Sequence, residues 1–176
     1  EQESYAEYQR ITECQFKHVD LFICETMSSV EEACISTTVA KQTGLPVWTS
    51  FTVDEDNGEF LRSGEPILDG AKAVLAKGAS AILINCSPPE SITQAVEKLV
   101  ALGVEIGAMA NGFVTAEPLK RNTTVDVLES RLELTPQKYV TFTKDWLSKG
   151  AKIIGGCCEI GPQHIAEINK IREVRN

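Results

Sequence analysis

Six cysteines are spread along the 176-residue chain: Cys14, Cys24, Cys34, Cys86, Cys157 and Cys158. Cys24 and Cys34 fall on apolar faces, where a free cysteine acts as a small hydrophobe, and Cys14 is read as equally inert. Cys86, Cys157 and Cys158 stand differently. Cys86 ends the run Ala81-Ile82-Leu83-Ile84-Asn85, and Cys157-Cys158 follow Gly155-Gly156, in loop sequence that offers no core face. Thiolates are soft ligands suited to zinc, and zinc favours four ligands in a tetrahedron. Three protein sulfurs therefore leave one position for a substrate, which marks a catalytic rather than a structural site. Adjacent ligands need an unusual backbone path, because neighbouring strand residues point to opposite faces. Gly155-Gly156 is expected to supply the conformational freedom for it. A vicinal pair is also the chemistry of a thiol oxidoreductase, which would cycle a Cys157–Cys158 disulfide without metal.

These residues need elements that bring them together. Short apolar runs alternate with amphipathic stretches throughout. Strands are expected over Leu21–Cys24, Val47–Val53, Ala81–Ile84, Val104–Met109 and Ala151–Ile154. The run 81–84 is apolar at every position, as in a parallel strand buried on both faces. A helix is expected over Tyr5–Lys17. The next starts at Ser29, with Glu32 placed to complete a capping box, and buries Val30, Ala33, Cys34, Thr37 and Ala40 before Gly44 and Pro46 stop it. Further helices are expected over Pro66–Lys77, from Ser87-Pro88-Pro89-Glu90 to Gly103, from Thr135-Pro136 to Gly150, and over Pro162–Arg172 with Ile165, Ile168 and Ile171 inward.

One helix followed by five strand–helix units means an α/β fold with a parallel sheet and right-handed crossovers. That pattern fits either an open doubly wound sheet or an arc of a (β/α)₈ barrel. A full barrel has eight strands and about 250 residues. The chain is expected to be one domain, residues 1–176, and, in the barrel case, one with its N-terminal strands missing. No Gly-rich phosphate loop follows a strand, which leaves nucleotide binding unsupported. In either architecture the C-terminal strand ends share the functional face. Glu25, Asn85, Cys86, Asn111, Cys157 and Cys158 all fall at such ends. Two long connections, Asp54–Glu65 and Gly112–Leu134, are of the kind that covers a site.

The net charge of −8 argues against nucleic acid or an anionic membrane as partner. No apolar run reaches membrane-spanning length, and no basic segment followed by an apolar one opens the chain. Cysteines within regular elements suit a reducing, cytoplasmic setting better than a disulfide scaffold.

Three motifs in order carry a family resemblance. Gly155-Gly156-Cys157-Cys158 followed by Gly161-Pro162-Gln163-His164-Ile165 resembles the closing signature of the homocysteine S-methyltransferases. Asn85-Cys86-Ser87-Pro88-Pro89 resembles their upstream cysteine motif, and Glu25-Thr26-Met27 with Glu32-Ala33 their fourth-strand motif. The resemblance implies a (β/α)₈ barrel of which residues 1–176 are the C-terminal part, Zn²⁺ held by Cys86, Cys157 and Cys158, and homocysteine as the fourth sulfur. It implies substrate contacts from Glu25, Asn85 and Asn111, with Glu25 on the amino group. Met109 departs from the pattern, since many members carry an aromatic residue there. Methyl transfer from S-methylmethionine or a similar methyl-onium donor, giving methionine, is the expected reaction. The alternatives are a metal- or thiol-binding fragment of a larger assembly, including a homo-oligomer, and the vicinal-cysteine oxidoreductase.

Overall fold

The structure is a computed structural model that describes residues 2–121 and 124–173. Helix α1 (Gln2–Gln15) precedes five strands, β1 (Phe22–Met27), β2 (Val47–Phe51), β3 (Ala81–Asn85), β4 (Glu105–Met109) and β5 (Ile153–Ile154). The intervening and final helices are α2 (Val30–Lys41), α3 (Ile67–Ala76), α4 (Pro89–Leu99), α5 (Pro136–Lys149) and α6 (Pro162–Glu173). All four strand pairings are parallel, and the sheet runs β1-β2-β3-β4-β5 without a reversal of order.

That order decides between the two architectures. A doubly wound sheet reverses its strand order at a switch point. Here each crossover adds the next strand on the same side, so right-handed connections put every helix on one face. Consecutive helices α1 through α6 pack side by side, and the sheet is an arc of a (β/α)₈ barrel.

The core lies between sheet and helices. Phe51, Ile82, Ile84, Ile106 and Ala108 alternate along the strands and are buried against Ala33, Ala71, Val74, Ile92, Val96, Tyr139 and Trp146, and Val47 packs with Phe22 and Ala40 in a smaller cluster. The opposite face of the sheet carries Ser50, Leu83 and Asn85, and Gly107, where a Cβ would come within 2.7 Å of Leu83. Polar residues on that face position the site described below.

Local differences from the sequence reading have identifiable causes. β1 continues past Cys24 to Met27, with an irregular register between them, because Thr26 takes φ 63°. β2 ends at Phe51, and Val53 instead pairs antiparallel with Leu61 across the 54–65 connection. The Ser29 hydroxyl caps Glu32 N–H as expected. The Glu32 carboxylate, however, accepts from the Tyr8 hydroxyl of α1 at 2.9 Å, and Val30 N–H is taken by Glu65. The Ser29 half of the capping box is thus kept, and the Glu32 half is given up for a tertiary contact with α1. Ile165, expected inward, is 44% exposed, whereas Ile168 packs against the core as expected.

Candidate metal centre

The sulfurs of Cys86, Cys157 and Cys158 lie within 4.8 Å of one another. Cys158 Sγ is 3.9 Å from both Cys86 Sγ and Cys157 Sγ. Tetrahedral zinc with bonds of about 2.3 Å separates its sulfurs by about 3.8 Å, so the three side chains already stand near the spacing of a metal-bound trio. All three are half-buried and free of disulfides.

The strand ends create this convergence. Cys86 follows β3 in a left-handed conformation, φ 53°, which a non-glycine residue adopts at a cost and which aims its side chain at the mouth of the sheet. Its N–H donates to Met109 O at the end of β4, and its carbonyl accepts from Arg62 Nη2 at 2.9 Å and from the Thr52 hydroxyl. Cys157 N–H donates to Ala110 O, and Cys158 O accepts from Gly112 N–H. The cysteine loop therefore extends the β4–β5 pairing beyond the formal strands.

The two glycines before the pair act otherwise than expected. Neither has a positive φ, and the left-handed residue of this loop is Glu159, φ 65°. What Gly155 and Gly156 provide is close approach. A Cβ on Gly156 would lie 2.2 Å from Ile160 Cγ2, and one on Gly155 3.1 Å from Met109. The turn folds tightly back on Ile160, whose N–H reaches Cys157 O.

The electrostatics of the trio match its geometry. Cys157 is pulled down to about 6, chiefly by hydrogen bonding with Cys86, and further by Cys158 and Asn85. Cys86 is pushed well above the usual thiol range by the same partner and by burial. Cys158 is raised by burial and by the charge on Cys157. The trio thus favours ionisation at Cys157 and disfavours it at Cys86 and Cys158. A divalent soft cation would let all three ionise, so the donor set fits zinc.

The other expected residues are placed as follows. Asn85 is 1% exposed, and its Nδ2 lies 3.9 Å from Cys157 Sγ. Asn111 is equally buried. Its N–H donates to Ser87 O and its Oδ1 accepts from Phe113 N–H, while its Nδ2 has no partner among the described residues. Glu25 sits within β1, exposed, next to Thr26, which contacts Asn85. Cys24 and Cys34 pack against the core with thiols raised by burial, and Cys14 is exposed on α1.

Sequence reasoning missed four supporting residues. Arg62 braces the Cys86 carbonyl from a loop that showed only turn chemistry. Thr26 and Ser50 both reach Asn85. The Tyr139 hydroxyl accepts from Ala110 N–H at 3.0 Å and donates to Gly155 O at 2.8 Å, clamping the ends of β4 and β5. A fully buried tyrosine needs a partner for its hydroxyl, which was the available signal for this last one.

Comparison with known proteins finds relatives of the chain. Betaine–homocysteine S-methyltransferase 1 of Mus musculus is 29% identical over 167 residues, which cover 86% of this chain and 39% of that protein. Selenocysteine methyltransferase of Astragalus bisulcatus is 27% identical over 167 residues, 87% of this chain and 44% of the relative. The chain thus spans about two fifths of the length of these curated relatives. Among solved structures, the metallated form of the homocysteine methyltransferase MmuM from Escherichia coli matches with a TM-score of 0.69 at 23% identity, covering 95% of this chain and 52% of that one. Its apo form matches with a TM-score of 0.70 at 22% identity, covering 94% and 57%. Those two structures share the fold. The homocysteine S-methyltransferase family model matches residues 1–172, and the chain belongs to that family.

Proposed function

We propose that this chain carries the zinc-dependent, thiol-activating portion of an enzyme that transfers a methyl group to homocysteine, giving methionine. The observation that carries the reading is the gathering of Cys86, Cys157 and Cys158, with their sulfurs within 4.8 Å, at the C-terminal ends of parallel strands. Zinc held by these sulfurs supplies a Lewis acid with one remaining position and a charge that favours thiolate over thiol there.

The residues around it have complementary tasks. Glu25, at the mouth of β1, pairs with the ammonium of the amino acid substrate. Asn111 offers its free Nδ2 as a buried donor to a substrate oxygen. The connections after β2 and β4 meet where Glu55 accepts from the Thr115 hydroxyl and Ala116 N–H, at 2.7 and 2.6 Å. Homocysteine loses its thiol proton to solvent, and its sulfur attacks the methyl carbon of an onium donor. The donor's bond to that carbon breaks, and a neutral sulfide or amine leaves. Alignment of the two substrates is the chain's own contribution. S-Methylmethionine is the proposed donor, and methionine synthesis in the cytoplasm the proposed setting.

The test follows a methyl label. Zinc-loaded protein incubated with homocysteine and methyl-labelled S-methylmethionine or betaine is expected to yield labelled methionine, with S-methylmethionine the better donor. Cys157→Ser should lose zinc and label transfer together. Full zinc content and turnover in that variant would overturn the ligand assignment, and no label from either donor would overturn the reaction.

A further inference from the structure

Asn85 has more hydrogen bonds than a substrate-contacting side chain can spare. Its Oδ1 accepts from Thr26 N–H at 2.9 Å and from the Ser50 hydroxyl at 2.7 Å. Its Nδ2 donates to Thr26 Oγ1 at 2.8 Å and lies 3.9 Å from Cys157 Sγ. An asparagine side chain has two acceptor sites and two donor protons. All four are used, and the residue is 1% exposed.

The chemistry also fixes which way the amide faces. A backbone N–H cannot accept, so the Asn85 atom opposite Thr26 N must be the oxygen. The nitrogen is then forced to the side of Cys157. Ser50, from the middle of β2, closes the second acceptor site and locks the same orientation. Thr26 meets the amide with its own backbone left-handed, φ 63°, which for a β-branched residue is a costly conformation. Strain of this kind persists where surrounding structure demands it. Here it delivers the Thr26 N–H and hydroxyl to opposite ends of one amide.

We infer that Asn85 is a positioning residue for the Cys157 sulfur, held in register by Ser50 and Thr26, and not a contact to the amino acid substrate. An N–H directed at a ligand sulfur orients its lone pairs and withdraws charge from it. Groups in that role commonly change metal affinity 10- to 100-fold when removed. The network spans β1, β2 and β3 and meets the loop after β5, so the sulfur's position is tied to the register of the sheet.

The inference rests on the three-cysteine metal reading, and the experiment separates the two. The probe is Co²⁺ bound to the reduced chain, with its sulfur-to-metal charge-transfer absorption and its affinity by chelator competition as readouts. Asn85→Ala is expected to weaken Co²⁺ and Zn²⁺ binding about 10-fold or more and to move the charge-transfer band to lower energy. Ser50→Ala should shift both in the same direction by less, and Thr26→Ser, which keeps the hydroxyl, should leave both near wild type. Circular dichroism checks the fold, and Ser50→Ala carries the test if Asn85→Ala does not fold. Wild-type protein with a thiolate band that Asn85→Ala and Ser50→Ala leave unmoved would overturn the inference alone. No thiolate band in the wild type would overturn the metal site and the inference together.

Discussion

At the scale of single residues, the site depends on backbone that a side chain would obstruct or strain. Gly156 is the clearest case, because a Cβ there would lie 2.2 Å from Ile160 Cγ2. Gly156→Ala is expected to force apart the turn that carries Cys157 and Cys158, costing about 1–3 kcal/mol in urea unfolding and lowering zinc retention. Unchanged stability and metal content would show that the loop is looser than this packing implies. The cysteines themselves were legible in the sequence, since a vicinal pair behind two glycines has no use as core. The reason for the glycines was not. Glycine suggests a left-handed turn, whereas close approach to a residue four positions on is invisible until the loop is folded. The left-handed positions fall on Thr26, Cys86 and Glu159, none of which advertises it by type.

At the scale of elements, two contacts tie the strand ends and the connection after β4 to the helices. Tyr139 of α5 bridges Ala110 N–H and Gly155 O, and burial pushes its hydroxyl well above the usual phenol range, so it stays a neutral donor. Tyr139→Phe leaves both backbone groups without a partner and is expected to cost about 1–3 kcal/mol, with faster amide hydrogen exchange at Gly155–Cys158. Exchange unchanged in that segment would remove Tyr139 from the site's support. Arg131, in the connection after β4, forms a two-pronged pair with Glu90 at the start of α4, both contacts 2.8 Å, and also reaches Glu133. Hydrogen bonding from Arg131 holds the Glu90 carboxyl below its ordinary value. A carboxylate depressed in the folded state stabilises above its unfolded pKa, about 4.3, and loses that contribution as pH falls through the lower folded value. Arg131→Ala should therefore cost under about 1 kcal/mol after solvent screening, with the difference from wild type constant at neutral pH and shrinking below pH ~4.3. A difference that instead grows on acidification would contradict the pairing. The helices were readable from their periodicity and stop signals. The end of β1 was not, because Cys24-Glu25-Thr26-Met27 lacks strand alternation and is held in place by Asn85 and β2.

At the scale of the whole molecule, alternation of strands and helices was enough to specify a parallel sheet. It could not tell an arc of a barrel from a doubly wound sheet, because that choice depends on which side each new strand joins. The sheet face that holds Ser50, Leu83 and Asn85 resolves it, since every helix lies on the other side. Among the described residues no helix is long and apolar enough to cross a membrane. The parallel order brings residues 72 positions apart into one cluster, and the function turns on what that cluster binds. The most direct measurement is zinc per chain on freshly purified, reduced protein, with X-ray absorption counting sulfur ligands before and after excess homocysteine. The account predicts one zinc with three sulfurs, rising to four when homocysteine is added. No zinc under reducing conditions, or a sulfur count that homocysteine leaves unchanged, would contradict it.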